Sequence, residues 1–323
     1  MEEIWVFIEQ DDGVIEESSL EVLSKAWELA DKGGYGVTAI LMGSGLADKA
    51  RDIGRYGAHK VYYIDDANLR SYSSELYPMV MEWLIKKYDP NTVLFSATRN
   101  GRDLAGRIAV KFKSGLLAHV IELGFDENGD LVGKVPGFGG NIAAVVKCVD
   151  SRPQLATVTP GVFEARDVGA EAELKVVTPD IELKPRNIRI VSKERGEYLD
   201  ISKSERVVVA GMGTGGKLDM VRELAKLLNA DIGVTRPLAD IGVAPRDIQI
   251  GSTGVTLKSK LAFILGASGA PHFTSGIKDC GVVITVNKDP EAPIKDYSDY
   301  LVVGDIFEVI PRLIKLLRGE EIA

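Results

Sequence analysis

Short β-branched or aromatic runs alternate with stretches of helical periodicity along the chain up to residue 115. A strand, a helix and a second strand in this order join parallel strands through a right-handed crossover. The alternation therefore predicts a mostly parallel sheet with helices on its faces. The predicted strands are residues 4–8, 37–41, 60–64 and 92–96, and the predicted helices are residues 18–31, 46–54, 73–87 and 102–113.

Beyond Leu116 the pattern changes, because strand-like runs follow one another without helices between them. Antiparallel strands can be joined directly, whereas parallel strands need a long crossover. We therefore expect an antiparallel extension of the same sheet. The runs are residues 116–123, 131–135, 143–149 and 154–158.

A second α/β unit follows a charged segment, residues 178–206, that is broken by Pro179 and Pro185 and predicts a linker with its boundary near Ser202. We expect two α/β domains, residues 1–195 and residues 203–323, of which the second is Rossmann-like. Its predicted strands are residues 206–210, 231–234, 261–265, 282–286 and 300–303, and its predicted helices are residues 217–228 and 306–317.

Charge and cysteine usage exclude several classes of function. The 323 residues carry 39 Lys plus Arg against 47 Asp plus Glu, a net charge of -8, which argues against binding to nucleic acid or an anionic membrane surface. Cys148 and Cys280 form no CxxC pair, so thiolates of this chain build neither an iron–sulfur cluster nor a zinc site. Residues 1–8 lack a signal-peptide pattern and no apolar run approaches about 18 residues, so we expect a cytoplasmic protein without membrane insertion.

Polar, glycine-rich turns lie next to the apolar runs of the second unit. They read QIGSTG at residues 249–254, GASGAPH at residues 266–272 and VNKDPEAPI at residues 286–294. Ligands of open α/β sheets bind at strand ends, and backbone N–H groups in such turns suit phosphates. The turns therefore predict one extended binding surface for a phosphate-bearing ligand.

These turns, followed by GDIFEVIP at residues 304–311, resemble the flavin-binding domain of the electron transfer flavoprotein alpha subunit. The resemblance implies one FAD in the C-terminal domain, electron transfer without a covalent substrate intermediate, and a beta subunit that pairs with the chain. It also implies electron exchange between a dehydrogenase, or an NADH-linked flavin, and a quinone-linked or other acceptor oxidoreductase. Residues 152–163, RPQLATVTPGVF, resemble a variant frequent in bifurcating members. The N-terminal domain carries no chemical constellation of its own and is expected to supply the partner surface.

At the flavin end, the resemblance implies contacts from a strand end and from the QIGSTG turn. Arg236 follows the second strand of the domain, and its guanidinium would lie beside the isoalloxazine ring. Thr253 would donate a hydrogen bond to a flavin ring atom. Gln249, Gly251 and Gly254 match the same turn of the family.

At the nucleotide end, Ser268 and the backbone of Gly266 and Gly269 would bind the pyrophosphate. Asn287 matches the family asparagine at the adenosine half of FAD, and Lys288 follows it on the same rigid strand exit.

The chain departs from the family pattern at several of these positions. Gly213 stands at about the place of a family arginine, and Ser252 replaces a glutamine. The family histidine aligns with Phe273, while His272 stands at a glutamine position and is expected as a flavin neighbour. Asp305 matches a carboxylate suited to ribose hydroxyls, but it could instead cap a helix, which is the simpler interpretation of the residue by itself.

Two other classes of function stay open at this point. Gly211, Gly213 and Gly216 have the GxGxxG spacing of a nicotinamide-dependent dehydrogenase, although the same glycines could serve close packing alone. The expected acidic partner is represented only by Asp231, which comes early. A non-redox subunit that binds adenine nucleotides is the other alternative.

Overall fold

The computed structural model describes residues 2–137, 142–149, 151–185, 187–188 and 201–320. The chain forms two compact units, one from residues 1–137 and 142–192 and the other mainly from residues 193–323. Much of the predicted linker, residues 189–200, lies outside the described residues.

The first unit confirms the predicted alternation of strands and helices. Its seven-stranded sheet has the order β12-β5-β4-β1-β6-β11-β7, and all of its strand pairs are parallel. The elements of the unit are β1 (Glu3–Ile8), β2 (Gln10–Asp11), β3 (Val14–Ile15), α1 (Glu17–Gly33), β4 (Gly36–Gly43), α2 (Ala47–Ile53), β5 (Lys60–Asp65), α3 (Leu76–Tyr88), β6 (Thr92–Ser96), α4 (Arg99–Phe112), β7 (Leu116–Val120), β8 (Glu122–Phe125), β9 (Leu131–Gly137), β10 (Ile142–Lys147), β11 (Gln154–Val158) and β12 (Glu173–Val176).

Strand β1 explains why the sheet is covered on both faces. Ile4, Val6 and Ile8 belong to one hydrophobic cluster, whereas Trp5 and Phe7 belong to the other. Successive side chains of a strand point to opposite faces, so a continuous apolar run is stable only between two layers of helices.

The predicted antiparallel extension of this sheet is wrong. Strands β8, β9 and β10 form a separate three-stranded antiparallel sheet, whereas β7 and β11 join the main sheet in parallel. The physical reason is burial. Strand β11 is buried at all five positions and suits a site between two parallel neighbours, whereas most residues of β10 are exposed. Strand β12, which no sequence pattern predicts, lies at the sheet edge beside β5.

Gln154 joins the two sheets of the first unit. It is the first residue of β11 and is fully buried. Its Oε1 accepts a hydrogen bond from the N–H of Leu131, the first residue of β9. Its Nε2 donates to Gly129 O at 3.1 Å and to Asn91 Oδ1 at 3.0 Å.

The second unit is a Rossmann-like parallel sheet, as expected. Its six strands are parallel and have the order β15-β14-β13-β16-β17-β18. Successive strands are added on one side of β13 up to β15 and on its other side from β16 onward, so the strand order reverses between β13 and β16. Short elements that the sequence analysis does not predict are β15, α6 and α7. The elements are β13 (Arg206–Ala210), α5 (Asp219–Leu228), β14 (Asp231–Thr235), α6 (Arg236–Asp240), β15 (Gln249–Ile250), β16 (Leu261–Leu265), α7 (Pro271–Thr274), β17 (Val282–Asn287), β18 (Tyr300–Val303) and α8 (Ile306–Leu317).

Replacing Gln154 by Met should destabilise the first unit by about 1–3 kcal/mol, because the substitution leaves the N–H of Leu131 and the carbonyl of Gly129 without their partner. Urea unfolding followed by circular dichroism measures the loss. A change below about 0.5 kcal/mol would show that the amide contributes little to the join between the sheets.

Candidate functional site

The strand order of the second unit places the candidate site. Strands β13 and β16 are neighbours at the point where the order reverses, and a crevice opens at the carboxyl ends of such strands. The turns that leave β13, β15 and β16, together with the exit of β17, lie at this edge of the sheet.

The 211–216 turn packs against the backbone of the 266–269 turn. Gly211 N donates to Leu265 O at 2.8 Å, and Gly213 N donates to Gly266 O at 2.9 Å. A Cβ atom on Gly211 would overlap Gly266 O. The GxGxxG glycines therefore serve close packing, which was one of the two interpretations of the sequence. Helix α5 begins only at Asp219, so the turn does not lead directly into a helix N-terminus.

The 266–269 turn is tied in the same way to the exit of β17. Asn287 Nδ2 donates to Ala267 O at 2.9 Å, and Asn287 Oδ1 accepts from Asp289 N at 3.1 Å. Ile294 N donates to Ser268 O at 3.1 Å. Asn287 thus holds the two segments together. The side chain of Ser268 is exposed at this edge.

The 249–254 turn presents an oriented hydroxyl. Gln249 is buried, and its Nε2 donates to Thr253 Oγ1 at 2.9 Å. Because one lone pair of Thr253 Oγ1 accepts this bond, the hydroxyl proton points away from Gln249. The side chain of Thr253 is exposed, so the proton is available to a ligand. Gln249 therefore orients Thr253.

His272 contacts the same turn from helix α7. Ser252 N donates to His272 O at 2.8 Å, and Ser252 Oγ lies 3.0 Å from His272 Nδ1. A Cβ atom on Gly251 would overlap His272 O, which accounts for the glycine at that position. Phe273, at the family histidine position, is 6% exposed and packs in the core. The imidazole at this edge thus belongs to His272.

The predicted charged residues have partners within the protein. Arg236 begins α6, and its exposed guanidinium Nε lies 3.2 Å from Asp240 Oδ2. Lys288 Nζ lies 3.4 Å from Asp305 Oδ2. Asp305 caps α8 by accepting from Phe307 N at 2.9 Å, and this bond, together with Lys288, lowers the pKa of the Asp305 carboxyl. Capping was the alternative interpretation of Asp305.

Thr235 is a candidate residue that the sequence analysis does not single out. It ends β14, is 6% exposed, and its Oγ1 has no hydrogen-bond partner within the part of the chain that the structure describes. A buried hydroxyl without a partner is costly, and its place at a strand end suggests a ligand atom as the missing partner. The sequence feature that could have identified Thr235 is its position directly before Arg236, which was already a predicted site residue.

Other chemistry is sparse in the described ranges. No group of three or more His, Cys, Asp and Glu side chains that could hold a metal ion occurs there. None of the helices described is both long and apolar enough to cross a membrane. Burial raises the pKa of the Cys148 thiol, and it raises that of Cys280 to about 11.

Comparison with known proteins covers both units. Residues 4–182 match the model of the electron transfer flavoprotein domain, and residues 200–278 match that of the electron transfer flavoprotein FAD-binding domain. An electron transfer flavoprotein subunit alpha of Thermoanaerobacterium thermosaccharolyticum is 37% identical over 98% of this chain and 98% of its own length. One of Clostridium acetobutylicum is 36% identical over 98% and 97%. A lactate dehydrogenase (NAD(+),ferredoxin) subunit of Acetobacterium woodii is 36% identical over 98% of this chain and 77% of its own length.

Thr235→Val should stabilise the ligand-free protein by about 1 kcal/mol, because it removes a buried hydroxyl without a partner at nearly constant volume. Thr285→Val is the matched control. Thr285 is also buried in this sheet, but its Oγ1 lies 2.7 Å from Ser298 Oγ, so the same substitution should destabilise by about 1 kcal/mol. Urea unfolding measures both, and a loss of stability at Thr235 would contradict the assignment.

Proposed function

The chain belongs to the electron transfer flavoprotein family as an alpha subunit, and we propose that it binds FAD along the carboxyl ends of β13 to β17 and relays electrons as one half of a heterodimer. The observation that carries the proposal is that two independent findings fall on the same part of the chain. The FAD-binding family model covers the same residues, 200–278, that hold an unsatisfied buried hydroxyl at the sheet edge.

The side chains at this edge suit the chemistry of FAD. Thr235 offers a buried hydroxyl and Thr253 an oriented one, and both can bond the heteroatoms of a flavin or its ribityl chain. Ser268 and the turn it belongs to suit a pyrophosphate. Lys288 supplies a positive charge at the expected nucleotide end, and Asp305, whose Oδ2 lies 3.4 Å from its Nζ, offsets part of that charge. FAD, when bound, accepts electrons from one partner and donates them to another.

Arg236 is the charged group that we assign to the flavin end. The positive charge of its guanidinium favours added negative charge nearby. Asp240 lies 3.2 Å away and neutralises part of this effect, and Asp240 also bonds Arg246 at 2.8 Å. The same pair also restrains the direction in which the exposed guanidinium can extend.

Two of the relatives are subunits of enzyme complexes, which indicates the class of protein with which this chain exchanges electrons. One relative is a subunit of an NAD(+),ferredoxin-linked lactate dehydrogenase, and another, from Anaerotignum propionicum, is an acryloyl-CoA reductase electron transfer subunit, 32% identical over 98% of this chain. We propose that this chain likewise serves a dehydrogenase or reductase. The name of the first relative joins NAD(+) and ferredoxin, which supports a bifurcating role, in which the two electrons of NADH are divided between ferredoxin and a second acceptor.

The first unit offers a surface for the beta subunit. Strand β10 is an edge strand of the three-stranded sheet and exposes apolar side chains, with Ile142 54% and Val145 68% exposed. Exposed apolar edge strands are normally covered, because they otherwise template aggregation. We propose that the beta subunit covers β10.

The alternative of a nicotinamide-dependent dehydrogenase has little support. Gly211 and Gly213 are explained by their contact with the 266–269 turn. Asp231, the candidate partner for a ribose, begins β14 at the opposite end of the strand from the crevice, and its Oδ2 accepts from Ser204 Oγ.

Denaturation of the purified heterodimer should release FAD, identified by chromatography and its visible spectrum. Thr235→Val should weaken FAD binding by about tenfold, the equivalent of about 1.4 kcal/mol for one lost hydrogen bond, whereas Thr285→Val should leave the affinity unchanged. Fluorescence titration of the apo heterodimer measures this. Recovery of only NAD, or of no nucleotide, would contradict the proposed function itself.

Val145→Lys should raise the dissociation constant of the heterodimer at least about tenfold, because a charge would be buried at the proposed interface. Val110→Lys is the matched control, since Val110 is 79% exposed on α4 of the same unit. Analytical ultracentrifugation measures both. An unchanged constant for Val145→Lys would place the beta subunit elsewhere.

A further inference from the structure

Ser252 and His272 are joined at the backbone and at the side chain. The N–H of Ser252 donates to His272 O at 2.8 Å, and the hydroxyl of Ser252 lies 3.0 Å from Nδ1 of the imidazole. Two segments that are twenty residues apart in sequence are thereby held as one block.

The surrounding backbone leaves little room for this block to open. Leu257 N donates to Gly276 O at 2.8 Å, and Cβ atoms on Gly251 and Gly276 would each clash with the facing segment. The bond between the two side chains is the outermost contact of the block, because the side chains of both Ser252 and His272 are exposed.

Nε2 of His272 is the ring nitrogen that does not face Ser252, and whether it carries a proton decides whether it can donate a hydrogen bond. A neutral imidazole carries one N–H, so a nitrogen that accepts a hydrogen bond forces the proton onto the other one. We propose that the Ser252 hydroxyl donates to Nδ1 of His272 and thereby fixes a proton on Nε2 as a hydrogen-bond donor to FAD bound beside Thr253. Ser252 is then a positioning residue that acts through His272. The inference rests on the proposed FAD site.

Of positions 272 and 273, only the first presents its ring at this edge. Phe273 is 6% exposed and packs in the core, whereas the side chain of His272 is exposed and contacts Ser252. The imidazole beside the 249–254 turn therefore comes from position 272.

A double-mutant cycle on the full-length chain with its beta subunit tests the coupling. Ser252→Ala should weaken FAD binding by about tenfold in the wild-type background and by less than about twofold in a His272→Ala background. Ser252→Thr, which keeps the hydroxyl, should bind within about threefold of the wild type. An equal loss in both backgrounds, or no loss in either, would overturn the proposal.

Ser275→Ala is the matched control. Ser275 Oγ donates to the carbonyl of His272 at 3.1 Å and does not contact its ring. Removing this hydroxyl should leave FAD affinity within about twofold of the wild type. A tenfold loss would instead indicate a general packing requirement at α7 and would count against a role of the imidazole.

The tautomer of His272 can be read without FAD. The sequence has three histidines, so ¹⁵N-imidazole spectra of the labelled chain in the apo heterodimer are simple to assign. His59 serves as the reference, because its Nδ1 accepts from Val37 N at 3.0 Å and its proton must lie on Nε2. His272 should show the same pattern, and Ser252→Ala should convert it to a tautomer mixture. A wild-type His272 protonated at Nδ1 would overturn the proposal. Failure of the wild-type heterodimer to bind FAD would instead refute the proposed function.

Discussion

The 211–216 and 266–269 turns meet backbone to backbone where the strand order of the second unit reverses. Two parallel neighbours can present their carboxyl ends to one ligand only when their exit turns share a narrow space. Side chains at Gly211 and Gly266 would force these turns apart. The exit of β17 is tied to this contact in turn, because Asn287 Nδ2 donates to Ala267 O in the second of the two turns.

Most polar groups at that edge are satisfied by the protein itself. Three of the predicted ligand contacts make hydrogen bonds to neighbouring turns or cap a helix, and thus hold the backbone of the site in place. They are Asn287, Asp305 and Gln249. The hydroxyl protons of Thr235 and Thr253 are left for a ligand. A sheet edge whose turns are already hydrogen-bonded to one another loses little conformational entropy when a ligand bonds to its remaining donors.

The sequence predicts the two parallel sheets and most boundaries of their elements, because apolar runs and helical periodicity reflect burial. It does not predict the separate sheet of β8 to β10, since strand runs alone do not specify a partner. At the candidate site, the turns were found from residue types, and their roles as cofactor contacts stay predictions. The structure distinguishes Asn287 as a connector from Thr235 as an unsatisfied group, because hydrogen-bond partners depend on distances in space.

The two thiols have a practical consequence for experiments. Thiolates are the species that react with maleimides and oxidants, and burial raises the pKa of the thiols of both Cys148 and Cys280, which lowers their reactivity. A cysteine introduced at an exposed position should therefore be modified selectively in the otherwise natural sequence. A spin label or dye can then be attached to either compact unit with no native residue removed.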